Sequence, residues 1–395
     1  MQVLVLNSGS SSLKFQLFSM PEATILCSGL IERIGFEDAI FKFNTDKNKI
    51  EKVEPILDHK QALEILAKQL LDTKTGIISS SDDIDIVGHR VVHGGSHFSD
   101  TTEITSEVKE KIKALSSLAP LHNPPNLEGI EVAEAIFPNA KQVAVFDTAF
   151  HQSIPEHAYK YAIPNEYLEE HNIRLYGFHG TSHKYVSEKA IEYLGKKESK
   201  IITIHLGNGC SMTAVKDGKS IDHSLGFSPV SGLIMGTRSG DIDPAIIFHM
   251  AEKFGYSLEE INTILQKKSG MLGLTGQSDL REIQTLADKG DKNAQLALFM
   301  NAYRIKKYIG SYTAIMNGLD AIVFTAGIGE NSIEMRQRVC NELDYLGIVL
   351  DEDKNKIRPN KLTDISASNS EVKILIIPTN EELEIAKQSV SLFEY

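Results

Sequence analysis

The chain has 395 residues, 42% of them hydrophobic, which suits two or three buried cores better than one. Its formal charge of −12, from 41 Lys and Arg against 53 Asp and Glu, argues against nucleic-acid binding, and no basic run offsets it. Three widely spaced cysteines, Cys27, Cys210 and Cys340, fit a reducing compartment better than a disulfide framework. The apolar run "VLVL" (3–6) is too short for a signal h-region or a membrane span and has no basic segment before it, so a cytoplasmic globular protein is expected.

In chain order, short apolar runs alternate with longer amphipathic stretches, which predicts mixed α/β layers. Behind the first run stands "NSGSSSLKF" (7–15). Backbone N–H groups of a turn of small residues, serine hydroxyls and Lys14 can converge on a phosphate; the other reading is a β-hairpin with a polar turn. A helix is predicted over 60–72. The run "IDIVGH" (84–89) continues into "GHRVVHGGSHF" (88–98), which sets Arg90 before paired glycines, where a guanidinium can grip a carboxylate or phosphate bidentately. After a predicted helix over 127–137, "VAVFDTAFHQ" (143–152) puts Asp147 at the C-terminal end of a strand, the edge where α/β sheets bind ligands; metal or catalytic duty is preferred there to a plain N-cap.

The irregular segment 150–164 marks the domain boundary, with two prolines and several histidines. Beyond it, "YGFHGTSH" (176–183) leads into a helix over 182–194 closed by Gly195. His179 and His183 have the i, i+4 spacing of zinc ligands, but no third ligand lies nearby in sequence, so an imidazolium beside a transferring phosphate is the better reading of His179. "IITIHLGNGCSMTAVKDG" (201–218) repeats the strand, Gly-containing turn and returning strand of the N-terminus, which predicts a duplicated domain with two turns facing one cleft. "MGTRSGDIDP" (235–244) places Arg238 between Gly236 and Gly240; a long helix is predicted over 293–316; and "FTAGIGEN" (324–331) follows the strand "AIVFT" with glycines able to face a nucleobase or phosphate. "KILIIP" reads as the last strand, and "PTNEELEIA" (378–386) opens a helix with Asn380 as N-cap, so Glu381 and Glu382 either complement the helix dipole or serve a site; spacing does not choose. No G-x-x-x-x-G-K-[ST] occurs, so any phosphate-holding device is not a P-loop.

Ten segments, "NSGSSSLKF", "HRVVHGG", "HNPPNL", "DTAFHQ", "YGFHGTSH", "HLGNG", "MGTRSGDIDP", "SDLR", "GIGEN" and "PTNEEL", resemble in that order the acetate kinase family, from Asn7 to Glu382. The resemblance implies an α/β fold with a duplicated actin-like (ribonuclease H-like) two-domain architecture and an interdomain cleft. The first domain would hold 1–150 plus 385–395, and the second, nucleotide-binding domain 151–384. It implies Asn7 and Glu381 as positions associated with Mg²⁺, or Mn²⁺, and Lys14 as a nucleotide contact. His205, Leu206, Gly207, Asn208 and Gly209 would form a phosphate loop, and Asp279, Leu280 and Arg281 with Gly327, Ile328, Gly329, Glu330 and Asn331 the adenosine site. Arg90 would hold the carboxylate, Asp147 would be the active-site acid, and His179 with Arg238 would stabilise the transition state. Val92, Leu121, Phe178 and Pro229 match the positions of a small apolar pocket for a methyl group. Ala326 stands where the family commonly has glycine.

The implied reaction is reversible phosphoryl transfer from ATP to acetate, giving acetyl phosphate and ADP, with propionate or another short-chain carboxylate as the alternative acceptor. A carboxylate with a pKa of about 4 to 5 is already ionised at pH 7 and needs no general base, which makes Asp147 chiefly an orienting and metal-organising group. Arg90, Arg238, His179 and Mg²⁺ would bring two anions together and neutralise the charge of an in-line transition state. An actin-like or chaperone-like ATP switch on the same fold has no evident use for Arg90. A homodimer is implied by the resemblance alone.

Overall fold

The structure is a computed structural model that describes residues 1–9 and 11–394; Ser10, one of the serines of the N-terminal turn, lies outside them. It divides into two units, Met1–Phe150 with Asn380–Tyr395, and His151–Thr379.

The first unit carries an eight-stranded sheet of β1 (Gln2–Ser8), β2 (Ser12–Ser19), β3 (Thr24–Glu32), β4 (Phe36–Asn44), β5 (Lys49–Ile56), β6 (Ile86–Val91), β7 (Thr102–Glu103) and β8 (Lys141–Phe146), in the order β5-β4-β3-β2-β1-β6-β8-β7. β1 runs antiparallel to β2 and parallel to β6, and β6 runs parallel to β8. The run "VLVL" is unbroken because β1 is buried on both faces. Leu4 and Leu6 join a core with the helices His59–Leu70 and Asn123–Ile136, while Val3 and Val5 meet Ile385, Ala386 and Val390 of the C-terminal helix Glu381–Ser391.

Two expected boundaries move. The helix expected to start at 127 starts at Asn123, because Pro124 and Pro125 fit a first turn whose N–H groups have no intrahelical partner. Residues 380–384, expected in the second unit, belong to the first. The C-terminal helix is bound there by its apolar face and by a close approach at Gly88, where a Cβ would lie 2.8 Å from Ser389 Oγ.

The second unit carries a six-stranded sheet of β9 (Lys200–Leu206), β10 (Cys210–Lys216), β11 (Lys219–His223), β12 (Ala321–Thr325), β13 (Thr363–Asp364) and β14 (Lys373–Ile376), ordered β11-β10-β9-β12-β14-β13. β9 is antiparallel to β10 and parallel to β12, and β12 is parallel to β14. The sequence echo is thus a true structural repeat: β1, β2, β6 and β8 are paired as β9, β10, β12 and β14 are. This is the duplicated actin-like α/β arrangement. The helices Gly180–Leu194 and Lys292–Met316 lie against the second sheet, the former ended by Gly195 at φ +61°, a left-handed cap that glycine adopts without strain. Among the described residues no helix is long and apolar enough to cross a membrane.

Candidate active site

In the first unit the parallel strands β1, β6 and β8 end side by side and present Asn7, Arg90 and Asp147. The Asp147 amide donates to Val91 O at 3.0 Å, which draws its side chain alongside β6. Arg90 then grips it bidentately, Nε to Oδ1 at 2.8 Å and Nη2 to Oδ2 at 2.5 Å, while Nη1 donates to Asn7 Oδ1 at 3.0 Å. Three of the five guanidinium N–H groups are thereby held and two remain for an anion. The Asp147 side chain is only 2% exposed and that of Arg90 21%, so the pair is largely removed from water. Burial pulls the Arg90 pKa down, but Asp147, Glu381 and Glu382 outweigh it and hold the guanidinium firmly charged.

The C-terminal helix brings its first turn to this cluster. Burial pushes the Glu381 carboxyl above the usual carboxylate range; Arg90 pulls it back, and the Asp147 and Glu382 carboxylates add to the rise. Lys14 pairs with Glu382 at 2.7 Å.

The polar residues of "HNPPNL" have a role that no spacing in the chain announces. Asn123 accepts from the His93 amide at 3.1 Å and donates to His93 O at 3.0 Å; Asn126 accepts from the Val92 amide at 3.1 Å and donates to Ser8 O at 2.7 Å. Thr148 Oγ1 accepts from the Gly94 amide at 3.0 Å. The loop after Arg90 is therefore clamped by side chains that satisfy its buried backbone groups. Val92 in that loop is buried and Leu121 is exposed. The other two expected pocket residues, Phe178 (buried) and Pro229 (half-buried), belong to the second unit.

In the second unit His179 sits at φ +57°, immediately before the helix Gly180–Leu194. Its Nδ1 bonds Ser211 Oγ at 2.9 Å and its ring stacks on His205 with centroids 4.5 Å apart. His183 bonds Thr203 Oγ1 and Ser211 Oγ, both at 2.7 Å, so the i, i+4 pair is committed to hydroxyls rather than aimed at a shared metal. Arg238 is half-buried between its glycine-flanked turns, and burial lowers its pKa. No carboxylate among the described residues pairs with it; Nη1 donates to Pro229 O at 3.0 Å. A Cβ added at Gly209 would lie 3.5 Å from His179 Cε1, 3.6 Å from its Nε2 and 3.6 Å from Arg238 Nη1, so the glycine keeps open a space on which imidazole and guanidinium converge. An uncompensated cation beside a histidine at a backbone turn is an anion-binding arrangement.

A cavity of about 860 Å³ adjoins this point, within the size range of ligand pockets. Gly207 and Asn208, Asp279 to Arg281, and Gly327, Ile328 and Asn331 line it. His205, Leu206, Gly209, Gly329 and Glu330 are not in its wall. His205 bonds Ser182 at 2.9 Å, Leu206 is buried, and Glu330 accepts from the Thr379 amide at 3.1 Å. Lys14 is absent from the wall too, being held by Glu382 in the first unit. The cavity adds Gly236 and Arg358, the latter an exposed cation with no motif to announce it.

Known proteins resemble the chain over its whole length. A model of the acetokinase family matches residues 2–387. The acetate kinase of Flavobacterium johnsoniae is 63% identical over 394 residues, covering 100% of each chain. The crystal structure of Porphyromonas gingivalis acetate kinase superposes with a TM-score of 0.94 at 45% identity and covers 100% of both chains. That of a propionate kinase from Francisella tularensis gives 0.93 at 46% identity, covering 99% of each.

Proposed function

The chain belongs to the acetokinase family, and from that premise we propose that it transfers the γ-phosphoryl group of ATP to acetate, and in reverse from acetyl phosphate to ADP, by direct in-line displacement. The observation that carries this reading is the cavity of nucleotide size lined by Gly207, Asn208 and Cys210, the neighbours in sequence of Gly209, the glycine on which His179 and Arg238 converge. A carboxylate oxygen forms the new bond to the γ-phosphorus as the bond to the bridging oxygen of ADP breaks, and no proton has to move. The chain's work is positioning and charge neutralisation. Arg238 and His179 face the phosphoryl oxygens, the two remaining N–H groups of Arg90 take the acceptor carboxylate, and Asp147 orients the Arg90 fork.

Asn7 Oδ1 with the Asp147 and Glu381 carboxylates offers the hard oxygen donors that Mg²⁺ or Mn²⁺ prefers, and a cation would offset the burial, and then the neighbouring carboxylates, that raise the Glu381 pKa. Bound there, the metal would supply neutralisation of phosphate charge. Val92 and Phe178, both buried, are assigned to the methyl end of the acceptor site together with Pro229; the likeness to a propionate kinase makes propionate the second acceptor to test. Cys27, Cys210 and Cys340 are all buried free thiols, which supports a cytoplasmic setting. The helix Ala245–Phe254 buries none of its residues and leaves Ile246, Phe248 and Phe254 exposed, apolar surface that supports a homodimer.

The test is ADP release from Mg-ATP with acetate, propionate or butyrate, together with trapping of the acyl phosphate by hydroxylamine. Carboxylate-dependent turnover that yields a hydroxamate is expected. ATP hydrolysis indifferent to carboxylate would overturn the proposal.

A further inference from the structure

Five histidines of the second unit, His151, His179, His183, His205 and His223, form a chain of ring contacts with centroid separations of 4.1 to 6.0 Å. Two of them brace the backbone immediately before His179. His151 Nε2 donates to Phe178 O at 3.0 Å, and His223 Nε2 accepts from the Phe178 amide at 3.0 Å. Their far nitrogens meet Ser220 Oγ at 2.9 Å and Thr213 Oγ1 at 2.8 Å.

A different line of bonds reaches the His179 ring. Thr203 Oγ1 meets His183 Nδ1 at 2.7 Å, His183 Nε2 meets Ser211 Oγ at 2.7 Å, and Ser211 Oγ meets His179 Nδ1 at 2.9 Å. Thr203, His183 and Ser211 are each fully buried. We propose that Ser211 is a positioning residue for phosphoryl transfer, its hydroxyl coupling His183 to His179 so that His179 presents Nε2–H to the space it shares with Arg238. This rests on the reading of His179 as a transition-state donor.

The directions of the bonds follow from proton counting. A serine hydroxyl has one proton, so between two imidazoles it donates to one and accepts from the other. Burial first, then the neighbouring histidines, keep His183 neutral, so one of its nitrogens donates and the other accepts. If Thr203 donates to His183 Nδ1, His183 Nε2–H donates to Ser211, Ser211 donates to His179 Nδ1, and a neutral His179 carries its proton on Nε2. The reverse direction leaves a neutral His179 with a lone pair on Nε2, facing the same anion as Arg238, and presents Nε2–H only if the ring takes a second proton. For a neutral ring, an anion held by Arg238 selects the first direction.

Removing a group that orients a catalytic side chain typically costs about 10- to 100-fold in activity. Ser211→Ala should lower kcat by that factor while the KM values for acetate and ATP move by less than about twofold, because ground-state binding is untouched. Ser211→Thr, which keeps the hydroxyl on a strand that accommodates β-branching, should recover most of the loss. The decisive measurement is the Ser211→Ala substitution made in His179→Ala enzyme. A residue that acts only through His179 costs nothing further there, whereas a merely structural residue costs the same again. An undiminished cost in that background, or normal kcat in Ser211→Ala alone, overturns the inference. Should Ser211→Ala fail to fold, Thr203→Val removes the far hydroxyl without changing shape, and the same comparison applies to it. Full turnover in His179→Ala would instead strike the underlying reading of His179; an impaired His179→Ala beside an unimpaired Ser211→Ala strikes only the coupling.

Discussion

Arg90→Ala tests whether the Arg90–Asp147 pair is structural as well as catalytic. Asp147 is 2% exposed and holds two charge-assisted bonds from one guanidinium. Deleting the cation leaves that carboxylate in a desolvated site with Glu381 and Glu382 nearby, and stranding one member of a buried pair typically costs about 3–5 kcal/mol. At about 2–4 °C per kcal/mol for a unit of this size, melting should fall by roughly 6–20 °C. Arg90→Ala/Asp147→Ala removes both charges, so it should be more stable than Arg90→Ala despite the additional truncation. Activity should behave oppositely: each variant loses transition-state stabilisation on the order of 3 kcal/mol, about 100-fold in kcat/KM, and the double variant regains none of it. Urea unfolding and thermal melts at pH 7.5, with initial rates on the same preparations, decide the matter. A single variant as stable as the wild type, or a double variant less stable than Arg90→Ala, would refute the reasoning.

Arg238 should respond differently. Among the described residues it has no carboxylate partner to strand, so Arg238→Met is expected to lose about 100-fold in kcat/KM with melting unchanged or slightly raised, measured by initial rates and calorimetry. The histidine cluster predicts acid lability. Burial lowers the His151 pKa to about 4 and those of His183 and His223 well below 6.5, so the folded state excludes protons that the unfolded chain binds. That stability is present above pH 6.5 and is lost as pH falls toward 4, on the order of 2 kcal/mol for His151 by pH 5, with His183 and His223 adding in the same direction; melts that stay flat between pH 7 and 5 would contradict it. Ala326 occupies φ +63° at the start of the short helix Ala326–Asn331, so Ala326→Gly should stabilise the enzyme by about 0.5–1 kcal/mol, seen as a higher urea midpoint. Val92→Ala should narrow the preference for acetate over propionate, which an additional methylene sets at roughly ten- to two-hundred-fold; an unchanged ratio of kcat/KM values would remove Val92 from the acceptor pocket.

Much of this was legible in the linear chain because the signals were local. Apolar runs such as "VLVL" and "AIVFT" announced strands buried on both faces, and Gly195 announced a helix end, since each depends on neighbours in sequence. The repeat of strand, turn and strand was legible for the same reason. Arg90, Asp147, His179 and Arg238 could be singled out as residue types beside glycines or at strand ends.

What each side chain does was settled by partners far away in sequence. The 57-residue separation of Arg90 and Asp147 becomes a two-bond fork only because β6 and β8 lie side by side. Glu381 could not be told from a helix-capping carboxylate until the C-terminal helix packed on β1 and β6 and crowded it against Asp147. Arg238 gained its meaning from the want of an acidic partner among the described residues, which spacing cannot report. Strands, duplication and the inventory of reactive groups are written locally in the chain, because periodicity and turn chemistry act over a few residues. Which charges are paired, which are left for an anion, and which hydroxyl holds which imidazole are set by folding, because desolvation and hydrogen-bond geometry depend on contacts that the chain makes only after it has folded.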